Sequence, residues 1–141
     1  MLFRNEFDFL SNLYPCEILD NNTGCTFHSA EALFQAYKTH DMNLRRQFAL
    51  LSGSQAKQLG RKIKLRPDWE RVKDMVMYAV IYLKFTQNPD LKEKLLATGD
   101  LHIEETNYWD DTYWGVYNGE GKNRLGKLLM SLRNELASEK V

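Results

Sequence analysis

The sequence predicts a mainly α fold with a small antiparallel β element, and three observations carry that expectation. Apolar residues recur at helical spacing through 69–85 and again through 123–137. The segment CEILDNNTGCTFHS reads as two short strands around the turn residues Asn21, Asn22, Thr23 and Gly24. No internal repeat, low-complexity tract or linker interrupts the chain, and 141 residues with 43% hydrophobic content fit a single domain over 1–141 with one core.

Each element has its own local cause. Ser29 is placed to cap a helix over about 30–39, Asp41 one over about 43–51, and Ser54 one over about 55–62, because short polar side chains there accept the first free backbone N–H groups. Pro67-Asp68 opens the strongest helical pattern, from Trp69 to about Phe85, with Val72, Met75, Val76, Ala79, Val80 and Leu83 as its expected stripe. It reads as the central buried helix. Asn88-Pro89 breaks it and starts a short helix to about Ala97. Leu101 to Glu105 is a candidate strand, and the last helix, over about 123–137, carries Leu125, Leu128, Leu129, Leu132 and Leu136 on one face.

Charge and cysteine content narrow the function classes. Nineteen basic and nineteen acidic side chains cancel, so the chain has no global field for long duplex nucleic acid. A small ligand or a local nucleic-acid contact remains open. The N-terminal MLFRNEFDF mixes charge with apolar residues, and no run is long enough to span a bilayer, so a cytoplasmic protein with no membrane partner is expected. In that compartment Cys16 and Cys25 are expected as free thiols, and with His28, His40 and His102 they show no ligand spacing, so no metal site is expected.

The segment YWDDTYWGVYNGEGKNRLG, 108–126, stands out for its chemistry. Five aromatics (Tyr108, Trp109, Tyr113, Trp114, Tyr117) fall within ten residues beside Asp110 and Asp111, offering flat faces for a ring and carboxylates for polar chemistry. A cover over a small core is the alternative. Gly119, Gly121 and Gly126 then bracket Lys122, Asn123 and Arg124 at an apparent helix start, where free backbone N–H groups and basic side chains favour an anion. It is not a P-loop, since Asn123 follows Gly121-Lys122 where Ser or Thr is needed.

A second cluster lies in SAEALFQAYK. Glu31, Gln35 and Lys38 fall at i, i+4 and i+7, so a helix presents an acid, an amide and a base on one face. Read alone, the three also fit a first-turn acid, an i,i+4 pair and a solvated lysine.

The ordered matches Phe9 to Pro15, Ser29 to Lys38 with its E-x-x-x-Q-x-x-K pattern, Gly60-Arg61, then Trp69, Arg71, Met75 and Lys84 singly, Leu96 to Thr98, Ile103-Glu104, Asp111 to Gly115, Gly121 to Gly126 and Leu129-Met130 resemble the NADAR family over nearly the whole chain. Two departures from the family pattern are Ala32, where many members have His, and the loop Val116 to Glu120. The resemblance implies N-glycosidase chemistry, cleavage of a ribose C1′–N bond with no metal or redox cofactor. Its implied substrates are phosphoribosylamino-pyrimidine intermediates of riboflavin synthesis and ADP-ribose attached to guanine in nucleic acid. Such cleavage develops positive charge on the sugar and negative charge on the base. Glu31 is the candidate for the carboxylate near C1′, as acid or base, and Asp111 is the second acid. Trp69 and Trp114 are candidates to sandwich the base. Asn12, Lys38, Lys122, Asn123 and Arg124 are candidates for phosphate and ribose contacts, and Gln35 and Gly115 are further expected substrate contacts. A non-catalytic ADP-ribose or nucleotide-binding module would use the same aromatic and basic residues without needing Glu31.

Overall fold

Asn21 to Gly24 reverse the chain between β1 (Pro15–Asp20) and β2 (Cys25–Ser29), an antiparallel pair in which Ile18 faces Phe27 and Asp20 faces Cys25. Gly24 supplies the left-handed conformation of the turn, at φ 73°. The Asp20 carboxylate accepts from the Thr23 N–H at 3.0 Å and hydroxyl at 2.8 Å, and Ile18 and Phe27 are fully buried. This computed structural model describes residues 3–139, so Met1 and Leu2 of the charged N-terminal segment lie outside the described residues. The chain forms two compact units, Asn12–Pro89 and the described residues of Met1–Ser11 with Asp90–Val141.

In Asn12–Pro89, Ser29 ends β2 and caps α1 (Ala30–Ala36), its hydroxyl accepting from the Ala32 N–H at 3.0 Å. The expected helix to Thr39 stops early. Tyr37 and Lys38 donate to the Phe34 and Gln35 carbonyls in a tighter turn, while Arg66 N–H takes the Lys38 carbonyl and Arg45 Nε the Thr39 carbonyl. Partners distant in sequence replace the next helical turn. Asp41 caps α2 (Met42–Phe48) as expected. The cap of α3 (Gly53–Gly60) is Ser52, not Ser54, because Ser52 and Gln55 form a reciprocal capping box that outweighs a lone hydroxyl.

α4 (Trp69–Gln87) is the long helix that its periodicity predicts, but its buried face is shifted. Trp69, Met77, Val80, Ile81, Lys84 and Phe85 are buried, whereas Met75 is 68% exposed and Val72, Val76 and Leu83 are half-buried. The second half is apolar nearly all round, so periodicity left two faces competing and packing chose between them. α1 sits at the centre of this unit, packed against α2, α3, α4 and both strands.

The second unit contains a 3₁₀ helix over Asn5–Leu10, the bulk of α5 (Pro89–Ala97), the two-residue parallel pair β3 (Thr106–Asn107) and β4 (Val116–Tyr117), and α6 (Arg124–Ser138). Leu125, Leu129, Leu132 and Leu136 form its buried stripe, with Leu128 only half-buried. Leu101 to Glu105, a candidate strand, is not one. Side chains occupy the hydrogen-bonding groups that a ladder would use: Asn123 Nδ2 donates to the Ile103 carbonyl, and Glu105 N–H donates to Asn123 Oδ1, both at 2.9 Å. Among the described residues no helix is long and apolar enough to cross a membrane.

Candidate active site

The short α1 does for Glu31 and Gln35 what their spacing predicts, while Lys38 lies in the turn beyond its end. Gln35 Nε2 donates to Glu31 Oε2 at 2.8 Å, and the charges of Glu31 and Lys38 are close enough to act on one another. Asn12 fixes where the helix begins, since its carbonyl accepts the Glu31 N–H at 2.9 Å. Burial pushes the Lys38 ammonium below its ordinary pKa, and the positive charges of Arg61 and Lys57 add to that, while Glu31 opposes it. Lys38 therefore sits within reach of one carboxylate, from α1, and of two further cations, one on α3 and one directly after it. Lys57 was not singled out from the sequence and Arg61 only within the Gly60-Arg61 block, without a role, because only folding brings α3 beside α1.

Two buried amide oxygens mark the same region. Asn12 is 7% exposed and Gln35 5%, and Asn12 Oδ1 and Gln35 Oε1 have no hydrogen-bond partner among the described residues. Asn12 Nδ2 is directed to Met77 Sδ at 3.3 Å. An orphaned buried oxygen is costly, and such atoms are enriched where a ligand or water completes the bonding. Trp69 departs from its expected role: it is 5% exposed and its ring packs on Phe34, with centroids 5.1 Å apart. The pair is tilted by 56°, and burial at this level makes Trp69 part of the core of its unit.

In the other unit the aromatic segment is built around Asn107, which sequence reasoning did not single out. Its Oδ1 accepts from the N–H groups of Trp109 and Asp111, and its Nδ2 donates to Glu105 Oε2 and the Asp111 carbonyl. Asp111 continues the scaffold, with Oδ1 accepting from Tyr113 N–H at 3.1 Å and Trp114 N–H at 2.9 Å. An Asn followed by Tyr-Trp-Asp-Asp is the signal for such side-chain turns. Tyr108 and Trp109 are left exposed, while Tyr113 and Trp114 are half-buried in an edge-to-face pair. Gly115 is glycine for packing, because a Cβ there would meet the Glu105 carboxylate and backbone.

The helix start after this loop is not a free anion site. The N–H groups of Lys122, Asn123, Arg124 and Leu125 donate to the carbonyls of Thr112, Gly115, Tyr113 and Trp114. Asn123 is also withdrawn from ligand contact, since both ends of its amide are committed to backbone. Any anion here must be met by side chains, and Lys122, exposed and 5.5 Å from the Tyr113 ring centre, is placed to do so.

An open cavity of about 350 Å³ lies on the opposite face of α1, lined by Leu33, Tyr37, Met75, Val76, Val80 and Leu83 among others. No candidate site residue lines it. Among the described residues no group of three or more His, Cys, Asp or Glu side chains is disposed to hold a metal ion.

Comparison with known proteins agrees with this architecture. The family model of the NADAR domain matches residues 2–137. N-glycosidase YbiA of Shigella boydii is 42% identical over 121 residues, covering 83% of this chain and 75% of that protein. A riboflavin biosynthesis protein of Vibrio vulnificus is 37% identical over 132 residues, covering 91% of this chain but only 35% of that protein. Among solved structures, the NMR structure of Escherichia coli YbiA superposes with a TM-score of 0.87 at 37% identity, over 99% of this chain and 86% of that one. The match spans every element that carries a candidate residue, and the chain belongs to the NADAR family.

Proposed function

We propose that this protein is a hydrolase of N-glycosyl bonds that cleaves a ribose C1′–N bond, with Glu31 as the catalytic carboxylate. The class of reaction is supported by relatives named N-glycosidase YbiA. The observation that carries the assignment to Glu31 is its setting: a carboxylate oxygen held by Gln35 at 2.8 Å, beside a desolvated lysine. A carboxylate so fixed can orient an attacking water and stabilise the cationic sugar as the bond to nitrogen breaks. Lys57 and Arg61, which act on Lys38, bring to this end of α1 the positive charge that a substrate phosphate needs. In the other unit Asp111 acts by shaping the loop that carries Trp114, and stacking of the Trp114 ring on a base is a proposal of its own.

For the substrate we favour a small phosphoribosylamino-pyrimidine over ADP-ribosylated guanine in nucleic acid. A net charge of zero does not favour a polyanion, and relatives from Vibrio vulnificus and Arabidopsis thaliana carry riboflavin biosynthesis names. Cytoplasmic action is part of this reading and rests on the sequence. Incubation with both substrates, following release of ribose 5-phosphate or ADP-ribose, tests it. Release of neither leaves a binding module, and release of ADP-ribose alone reverses the preference.

Lys38 favours a second reading of the bond-breaking step. Burial that lowers its pKa enlarges the neutral, nucleophilic fraction of the amine. In that case the Lys38 nitrogen attacks C1′ and the base departs with a proton. The sugar ring then opens to an imine, which water hydrolyses to release the sugar and the free lysine. Borohydride trapping of a protein–sugar adduct that Lys38→Arg abolishes would establish this route.

A further inference from the structure

We propose that Gln35 is a positioning residue for Glu31, and that Gly60 lacks a side chain so that the Gln35 amide can lie against it. The proposal rests on the reading of Glu31 as the catalytic carboxylate.

Gly60 is the last residue of α3 and its φ lies outside the left-handed range, so the backbone does not demand glycine there. In a helix glycine is a poor choice, because it gives up more chain entropy on folding than alanine. The demand comes from close approach. A Cβ built at Gly60 would collide with Gln35, and the three nearest atoms are Gln35 Oε1, Cδ and Cγ, with no backbone among them. Gly60 is buried, and the end of the Gln35 side chain, Oε1 foremost, fills the space that a side chain at residue 60 would take.

That contact fixes the amide's orientation. Nε2 faces Glu31 and donates to Oε2, while Oε1 lies against Gly60 with no hydrogen-bond partner. The fold therefore accepts a helical glycine at this spot. That cost is explained if the return is a donor held rigidly on the carboxylate. Gln35, expected from the sequence to contact substrate, instead acts through Glu31. Because the obstruction at residue 60 would be the end of a flexible side chain, adding a methyl there displaces the amide more readily than it disrupts the helix.

The test is a double-mutant cycle with kcat, KM and Tm read for each variant. Gly60→Ala is expected to lower kcat about tenfold with KM within about twofold, as for a group shifted from its working geometry. Gln35→Ala should lower kcat by a similar factor. In the Gln35→Ala background the same change at Gly60 should cost no further kcat, since the atoms it strikes are gone. Equal losses in both backgrounds would overturn the coupling. If Gln35→Ala does not fold, Gln35→Met, of similar volume but with no amide donor, must lower kcat at constant KM; wild-type kcat in that variant also overturns the proposal. Glu31→Gln is run alongside, and full activity there locates the failure in the reading of Glu31 itself.

Discussion

Asn123 accepts from the Glu105 N–H at 2.9 Å and, through the other end of the same amide, donates to the Ile103 carbonyl at 2.9 Å. It does so from a left-handed backbone, φ 49°, directly before α6. One side chain thus ties the start of α6 to a stretch of chain about twenty residues earlier that is not itself a strand.

Asn123→Ala leaves both backbone groups without their partner and adds strain at positive φ. We expect a loss of roughly 2–6 kcal/mol, from about 1–3 kcal/mol for each of the two groups left unsatisfied. Asn123→Gly restores only the backbone freedom and should recover only part of it. Urea denaturation of the three proteins checks this, and equal stability of Ala and Gly variants would show that φ contributes little.

Glu31→Gln keeps the shape of the site but removes its charge and proton chemistry. Turnover should fall by at least about a hundredfold, as for a positioned acid or base, with the circular dichroism spectrum and substrate affinity retained. Unchanged turnover would remove Glu31 from the mechanism.

Lys38 carries a pH signature of definite sign. Its folded pKa lies below its unfolded one, chiefly through burial, so the buried charge destabilises the protein fully below the folded pKa. That destabilisation is relieved as pH rises from the folded pKa towards the ordinary lysine value of 10.5. Lys38→Met should therefore be more stable than wild type at neutral pH, with the difference shrinking as pH increases. Chemical denaturation at a series of pH values measures it, and a difference that widens with pH would contradict the assigned cause.

The two tryptophans should behave differently. Trp69→Ala empties a buried position and is expected to cost about 3–5 kcal/mol of stability, as for other large core truncations. Trp114→Ala should instead weaken binding of the whole substrate far more than binding of ribose 5-phosphate, since stacking on a base is worth about 1–3 kcal/mol. Calorimetric titration with each ligand separates these outcomes; parallel weakening of both ligands by Trp114→Ala would assign it a structural role.

Where the information is local, the sequence by itself determined the structure. The Asn21 to Gly24 turn, the Ser29 and Asp41 caps, the break at Asn88-Pro89 and the leucine face of α6 depend on neighbours within about one turn of chain, and the spacing of Glu31 and Gln35 fixed their contact across a helical turn. Tertiary structure decided what no local pattern contains. It chose the face of α4 that is buried, replaced a candidate strand at Leu101 to Glu105 with contacts to Asn123, and ended α1 early through Arg45 and Arg66. It also turned two expected ligand contacts into framework, Trp69 against Phe34 and Asn123 against the backbone, and set Gly60, Lys57 and Arg61 beside the Glu31 helix. The physical reason is that a side chain's chemistry is written in the sequence, but its desolvation, its partners and the space left for it depend on which distant segments fold against it.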